Sequence, residues 1–131
     1  MRTSRIRRAG LALTVAAALG AATITAAAAT SHARVAKRTL SAKPGKKLAY
    51  SAKRLTVRSG RVTLRMVNRD DIAHDIAVRG TKLKKPRKGR IVGRGKVSTV
   101  SVTLKPGTYT FYCTVFGHEA SGMRGTLKVR R

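Results

Sequence analysis

Three side chains with soft donor atoms lie on one short stretch near the C-terminus. They are Cys113, His118 and Met123, with four residues between each pair, and Cys113 is the only cysteine of the chain. A thiolate, an imidazole and a thioether suit copper, and two histidines with a cysteine and a weak axial methionine form electron-transfer copper sites. The stretch supplies three of these four groups, so a copper site requires one further histidine from elsewhere in the chain.

The strand pattern of the chain offers His74 as that histidine. Apolar and polar residues alternate from Val62 to Met66, which predicts a half-buried strand. In the same way, His74 shares an inward face with Ile76 and Val78, while Asp75 and Ala77 fall on the opposite face. Cys113 shares the inward face of the strand that begins near Tyr109. We therefore expect His74 and Cys113 to meet at one end of a β-sandwich, with a buried core histidine as the alternative for His74.

Short strands with turn residues between them continue through most of the chain. Signals such as Ser59-Gly60 and Lys105-Pro-Gly107 separate six to eight such strands, and no helical period appears beyond the N-terminus. This pattern predicts an all-β, antiparallel β-sandwich or barrel. A loop is expected from Gly80 to about Gly95, and its segment 82–90 has six positive residues in nine. That segment is either a solvated run or a docking surface.

The N-terminus has the pattern of a secretory signal peptide. Four arginines, all before Ala9, precede an uncharged run to Thr30, and Ser31-His32-Ala33 is a small-x-small cleavage signal. We expect a helical signal peptide at 1–33, cleaved near Ala33, a basic flexible leader at 34–47 and the folded domain at 48–131. A first edge strand at the end of the leader is the alternative for that segment. An uncleaved membrane anchor is the alternative, and Arg7-Arg8 leaves both Sec and twin-arginine export open. The mature protein is then exported, either secreted or associated with the cell envelope.

The mature chain is strongly basic. Residues 1–33 hold four of the 30 basic residues and none of the four acidic ones, which leaves 26 against four and a net charge of +22. Such a charge draws a protein to anionic partners. Export makes nucleic acid the least expected target, so we expect an acidic redox protein or an anionic envelope surface instead. A lone cysteine in an oxidising compartment also favours a thiolate that a metal protects.

The residues around the copper ligands resemble the cupredoxins, the plastocyanin and azurin group. The resemblance is carried by 106–113, by Gly117-His118 and by 122–125, and upstream by segments from Leu55 to His74-Asp75. It implies an eight-stranded Greek-key sandwich with one type 1 copper ion. His74, Cys113 and His118 would be equatorial ligands and Met123 the axial ligand. The two four-residue spacers are similar to those of auracyanin and sulfocyanin.

Two residues depart from the pattern of this family. Phe116 stands where many members have proline, and Asp75 stands where many have an asparagine that ties the two ligand segments together. Neither change removes a ligand. Both leave the reduction potential and the colour of the site open.

These observations predict a monomeric one-electron carrier rather than an enzyme. The sequence shows no general base, no nucleophile pair and no open coordination position. A copper scavenging or delivery protein of the same fold is the second hypothesis. A metal-free, cationic, envelope-binding sandwich is the third.

Overall fold

The computed structural model describes residues 35–45 and 47–131 of the chain. The expected signal peptide at 1–33, with its cleavage site, lies outside these residues. The described part contains eight strands, which we number in chain order: β1 Ala36–Ala42, β2 Arg54–Arg58, β3 Gly60–Asn68, β4 Ala77–Arg79, β5 Arg87–Lys88, β6 Val97–Leu104, β7 Gly107–Tyr112 and β8 Arg124–Arg130. Within these residues there is no helix long and apolar enough to cross a membrane.

The strands form two sheets that pack face to face. One sheet has the order β1-β3-β6, and the other has the order β2-β8-β7-β4-β5. The chain passes repeatedly from one sheet to the other, which confirms the predicted all-β Greek-key sandwich. Two of the ladders, β1 with β3 and β2 with β8, are parallel, whereas the others are antiparallel.

The core follows from the alternation in the sequence. In β3 the side chains of Val62, Leu64 and Met66 are fully buried, while Arg61 and Arg65 are exposed. Successive side chains of a strand point to opposite faces, so this strand supplies apolar groups to one side and charge to the other. Burying three such apolar side chains contributes about 5 to 9 kcal/mol against leaving them in water.

The first strand lies where the sequence predicted a flexible leader. Ala36–Ala42 pairs in register with Ala36↔Val62 through Ala42↔Asn68, and both Leu40 and Ala42 are buried. Lys37 and Arg38 of this segment point to solvent at an edge of the sheet, where charge is common. These charged residues made the strand hard to predict, because only its last residues show a clear alternation of buried and exposed side chains.

The segment that carries His74 also differs from its predicted strand. Here β4 begins only at Ala77, and His74 makes an isolated bridge with Val92. Asp75 and Ala77, expected on an outer face, are as fully buried as His74. The Gly80–Gly95 connection covers this side, and β5 within it pairs with β4.

Candidate metal centre

Three donor atoms converge at one end of the sandwich. His74 Nδ1 lies 3.2 Å from His118 Nδ1, and Cys113 Sγ lies 3.9 Å from the first and 3.6 Å from the second. His74 and Cys113 are buried, and His118 is half-buried. These residues come from two segments that are distant in the sequence, and the fold brings their donor atoms together.

The triangle of donors matches the size of a metal site. A metal about 2 Å from each nitrogen and about 2.3 Å from the sulfur needs donor separations of roughly 3.3 to 3.7 Å. The observed separations run from 3.2 to 3.9 Å. Two nitrogens and a sulfur of soft character, gathered in a buried position, fit copper.

His74 is oriented by a carboxylate. Its Nε2 lies 3.0 Å from Asp70 Oδ2, a buried side chain. With the Nε2 proton donated to Asp70, the Nδ1 lone pair faces His118 and Cys113 and is available to a metal. Asp70 belongs to the stretch from Asn68 to Asp71, whose residue types are typical of a turn, so the sequence alone did not indicate this role.

The loop that holds Asp70 is itself organised by a buried amide. Asn68 donates from Nδ2 to the carbonyls of Ile72 and Val92, at 2.8 and 2.9 Å, and accepts the Asp70 N–H at 2.9 Å. Burial acts to raise the pKa of Asp70, but hydrogen bonds from His74 and the Asp71 N–H outweigh it and lower this pKa. The carboxylate form is therefore favoured beside His74.

Asp75 ties the two ligand segments together. Its carboxylate accepts the Thr114 N–H and the Thr114 hydroxyl, both at 2.6 Å, directly after Cys113. The backbone carbonyl of Asp75 accepts the Tyr50 hydroxyl at 2.6 Å. The aspartate thus provides the tie that the family usually makes through asparagine.

The ligand loop is a series of tight turns from Val115 to Gly122. His118 N–H donates to Val115 O, and Gly117 adopts φ 77°, a left-handed conformation that favours glycine. Met123 then returns to the core: its N–H donates to His118 O at 3.0 Å, and its carbonyl accepts the Cys113 N–H at 3.1 Å. The Met123 side chain is fully buried.

Burial favours the neutral forms of Cys113 and His118 when no metal is bound. It raises the pKa of the Cys113 thiol to about 11. Burial, with the neighbouring His74 ring, lowers the pKa of His118. A neutral imidazole is ready to bind a metal, whereas the thiol has to release its proton on binding.

The surface beside the site joins a charged pair and an exposed aromatic ring. Arg79 donates to both Glu119 oxygens, at 2.8 and 2.5 Å, and stacks over the Tyr112 ring at 4.4 Å. Phe116, two residues before His118, is completely exposed. Near His118 in sequence, Ala120 is exposed as well, and Val115 packs against the core.

Residues 36–130 match the profile of the copper-binding proteins of the plastocyanin/azurin family. The chain belongs to this family. As a cupredoxin it has a type 1 copper site for one ion, and the donors described above fit that ion. No curated protein sequence matches this cupredoxin.

Solved structures share its fold. A dithionite-reduced auracyanin from Roseiflexus castenholzii is 23% identical, with TM-score 0.65 over 73% of this chain and 98% of the other. Auracyanin A from Chloroflexus aurantiacus is 23% identical, with TM-score 0.62 over 74% and 100%. An azurin from Methylomonas sp. strain J is 18% identical, with TM-score 0.60 over 73% and 98%. The predicted likeness to auracyanin is thus confirmed at the level of the fold.

Proposed function

We propose that this cupredoxin carries single electrons, with His74, Cys113 and His118 as equatorial ligands and Met123 as the axial ligand. The convergence of two Nδ1 atoms and Cys113 Sγ within 3.9 Å is the observation that carries the proposal. When bound, copper supplies a one-electron Cu(I)/Cu(II) couple. We propose no catalytic role for the chain.

The role of the protein is to hold the donors in nearly one geometry. Asp70 restrains the His74 ring, Asp75 restrains the backbone after Cys113, and the Met123 backbone bonds to both His118 and Cys113. Ligand residues that are also hydrogen-bonded to neighbouring groups move little when the charge of the site changes. Small movement favours rapid electron exchange.

His118 is the proposed exit for the electron. It is the only one of the three clustered donors that is not fully buried, and the exposed Phe116 ring stands beside it. An exposed aromatic side chain at a polar surface is a common contact in protein interfaces. This end of the sandwich is therefore the proposed face for the redox partner.

We further propose that the protein is exported and meets an acidic partner as a monomer. The signal-like N-terminus supports export, and the net charge of +22 beyond residue 33 supports attraction to acidic surfaces. Charge of this size accelerates encounter more than it strengthens the final complex.

A copper delivery protein is the second candidate, since the same donors hold Cu(I). The buried Cys113 and Met123 argue against it, because delivery requires ligands that a receiving protein can reach. The metal-free, envelope-binding alternative has less support, because three donor atoms of the kind that bind copper converge within 3.9 Å.

The first experiment is optical and uses matched methionine variants. The mature protein with one equivalent of Cu(II) is expected to show an intense visible thiolate-to-copper band, which Cys113→Ser abolishes. Met123→Leu should shift this band and the reduction potential, whereas Met66→Leu, at a methionine that is equally buried in the core, should change neither. A band of equal strength in Cys113→Ser would refute the ligand assignment.

Voltammetry then separates the carrier from the delivery protein. A carrier should give a reversible couple and retain copper on reduction in the presence of a competing Cu(I) chelator. Rapid loss of Cu(I) to the chelator would favour delivery. Exchange with an acidic redox protein should slow as salt rises, while exchange with a neutral small reductant should not.

A further inference from the structure

We propose that a cleft at an open edge of the sandwich binds the phosphate groups of a phosphodiester-linked polyol chain. The cleft has a volume of about 470 Å³ and lies between the 80–88 connection and β6. Its polar lining consists of four basic side chains and two hydroxyls: Arg61, Lys84, Lys85, Arg87, Ser101 and Thr103. Guanidinium, ammonium and hydroxyl groups are the donors that bind phosphate oxygens.

The basic connection is held in place over the cleft rather than free in solvent. Leu83 packs against the core and donates its N–H to Gly80 O at 2.9 Å. Lys82 bonds the carbonyl of Pro106. Gly89, just beyond, donates to Ile76 O at 2.9 Å and lies so close to β6 that a Cβ there would meet Ser98 Oγ at 2.5 Å. Lys84, Lys85 and Arg87 are therefore presented together.

No carboxylate neutralises these cations. The chain has only four acidic residues, and all of them lie near the copper end. Asp70 bonds His74, Asp71 pairs with Arg94, Asp75 bonds Thr114 and Glu119 pairs with Arg79. In the part of the chain that the structure describes, the four cleft cations have no ion-pair partner. An anion in the cleft would therefore not compete with a carboxylate for these four cations.

The cleft and the copper site are separate. Arg61 lies opposite Thr103 at the start of β3, whereas Asn68, which organises the His74 segment, ends the same strand. Asn68 is seven residues beyond Arg61, a distance of about 23 Å at roughly 3.3 Å per residue. On the other side of the cleft, Arg87 pairs with Val78, which is four residues, or roughly 13 Å, from His74. A polymer in the cleft would leave His118 and Phe116 free for a redox partner.

The lining favours a flexible phosphate polymer over a protein or a nucleic acid. The apolar part of the lining consists of the half-buried Leu83 and Val102, and none of the large exposed apolar side chains of the described residues, Val35, Ile72, Ile91, Val97 and Phe116, lies there. Protein interfaces usually have aromatic or apolar anchors at their centre. Single-stranded nucleic acid is bound through base stacking on aromatic rings, and no ring lines the cleft either.

The test measures binding of a fluorescent oligo(glycerol phosphate) to the full mature protein at several salt concentrations. Lys84→Gln, Lys85→Gln and Arg87→Gln combined should weaken binding roughly 10- to 100-fold and make the salt slope shallower by about two. The control variant combines Arg54→Gln, Lys128→Gln and Arg130→Gln, which removes equal charge from exposed positions of β2 and β8, at the other side of the second sheet from β5. It should retain binding within about threefold.

Three outcomes would overturn the proposal. An equal loss of binding affinity in the cleft variant and the control variant would mean that the net charge of the protein attracts the polymer without a specific site. Tighter binding of a single-stranded DNA of equal charge, lost in the cleft variant, would assign the cleft to nucleic acid. Tighter binding of an acidic peptide would assign it to a protein. The assay needs no copper, so it is independent of the proposed electron transfer, and an unchanged copper spectrum and melting temperature in each variant would show that the fold is retained.

Discussion

The link between Asp75 and Thr114 allows the rigidity of the copper site to be measured. Its two bonds are 2.6 Å long, and Asp75 is fully buried. Asp75→Ala removes both acceptors and leaves the Thr114 N–H without its partner. Hydrogen bonds to a charged group are worth about 1.5 to 3 kcal/mol each, so a loss of roughly 3 to 5 kcal/mol is expected.

Asp75→Asn is the matched control. Its amide oxygen can accept the Thr114 N–H, and its amide nitrogen can donate to the Thr114 hydroxyl, which is able to accept as well as donate. Both contacts survive as neutral hydrogen bonds, which are weaker, so the free energy of unfolding should fall by about 1 to 2 kcal/mol, well below the loss in Asp75→Ala.

Urea denaturation of the metal-free protein and a competitive copper titration would measure the two effects. We expect Asp75→Ala to lower both stability and copper affinity, and Asp75→Asn to retain most of each. A double-mutant cycle with Thr114→Ala should give a coupling above about 1 kcal/mol. Equal stability of the two Asp75 variants, or a coupling near zero, would refute the argument that this link holds the ligand segments together.

Three further predictions concern packing and surface. Gly125→Ala should cost about 3 kcal/mol, because its Cβ would lie 2.2 Å from the buried Phe111 ring; thermal melting would show a fall of roughly 15 °C. A melt unchanged within 2 °C would show that the ring moves freely. Tyr50→Phe should cost about 1 to 2 kcal/mol in urea denaturation, because the Asp75 carbonyl loses its 2.6 Å donor; full stability would mean that water replaces the hydroxyl. Phe116→Ser, at a fully exposed ring, should leave stability and the copper spectrum unchanged and slow only exchange with a protein partner, measured by stopped flow. Equal rates for both proteins would exclude Phe116 from the docking face.

The copper site was predictable because most of its ligands lie close together in the sequence and have side chains that are typical of copper sites. Cys113, His118 and Met123 are close in sequence, and the strand alternation orients Cys113 inward. His74 was found through its apolar neighbours Ile76 and Val78. The argument for a strand there was only partly right, since the inward position of His74 comes from its bridge with Val92 and its bond to Asp70.

The parts that were missed depend on contacts between distant segments. Asp70 has the sequence of a turn residue, and only the fold brings its carboxylate to His74. Nothing local shows that Asp75 is buried, because its partner Thr114 is 39 residues away. The strand Ala36–Ala42 was hidden by its basic residues, whose exposure is explained only by its pairing with β3.

The order of strands in the second sheet has a consequence for how the chain matures. The last strand, β8, lies between β2 and β7, and its ladder with β2 joins residues about 70 positions apart in sequence. Contacts this distant are made late and slowly, since a long loop has to close first. Until β8 is in place, the second sheet is split, and the backbone of Met123, which immediately precedes β8, lacks its anchor. In a nascent or C-terminally truncated chain, the two histidines and the cysteine should therefore be only loosely positioned. Full copper retention should appear in a single cooperative step when the seven-residue strand β8 pairs with its neighbours.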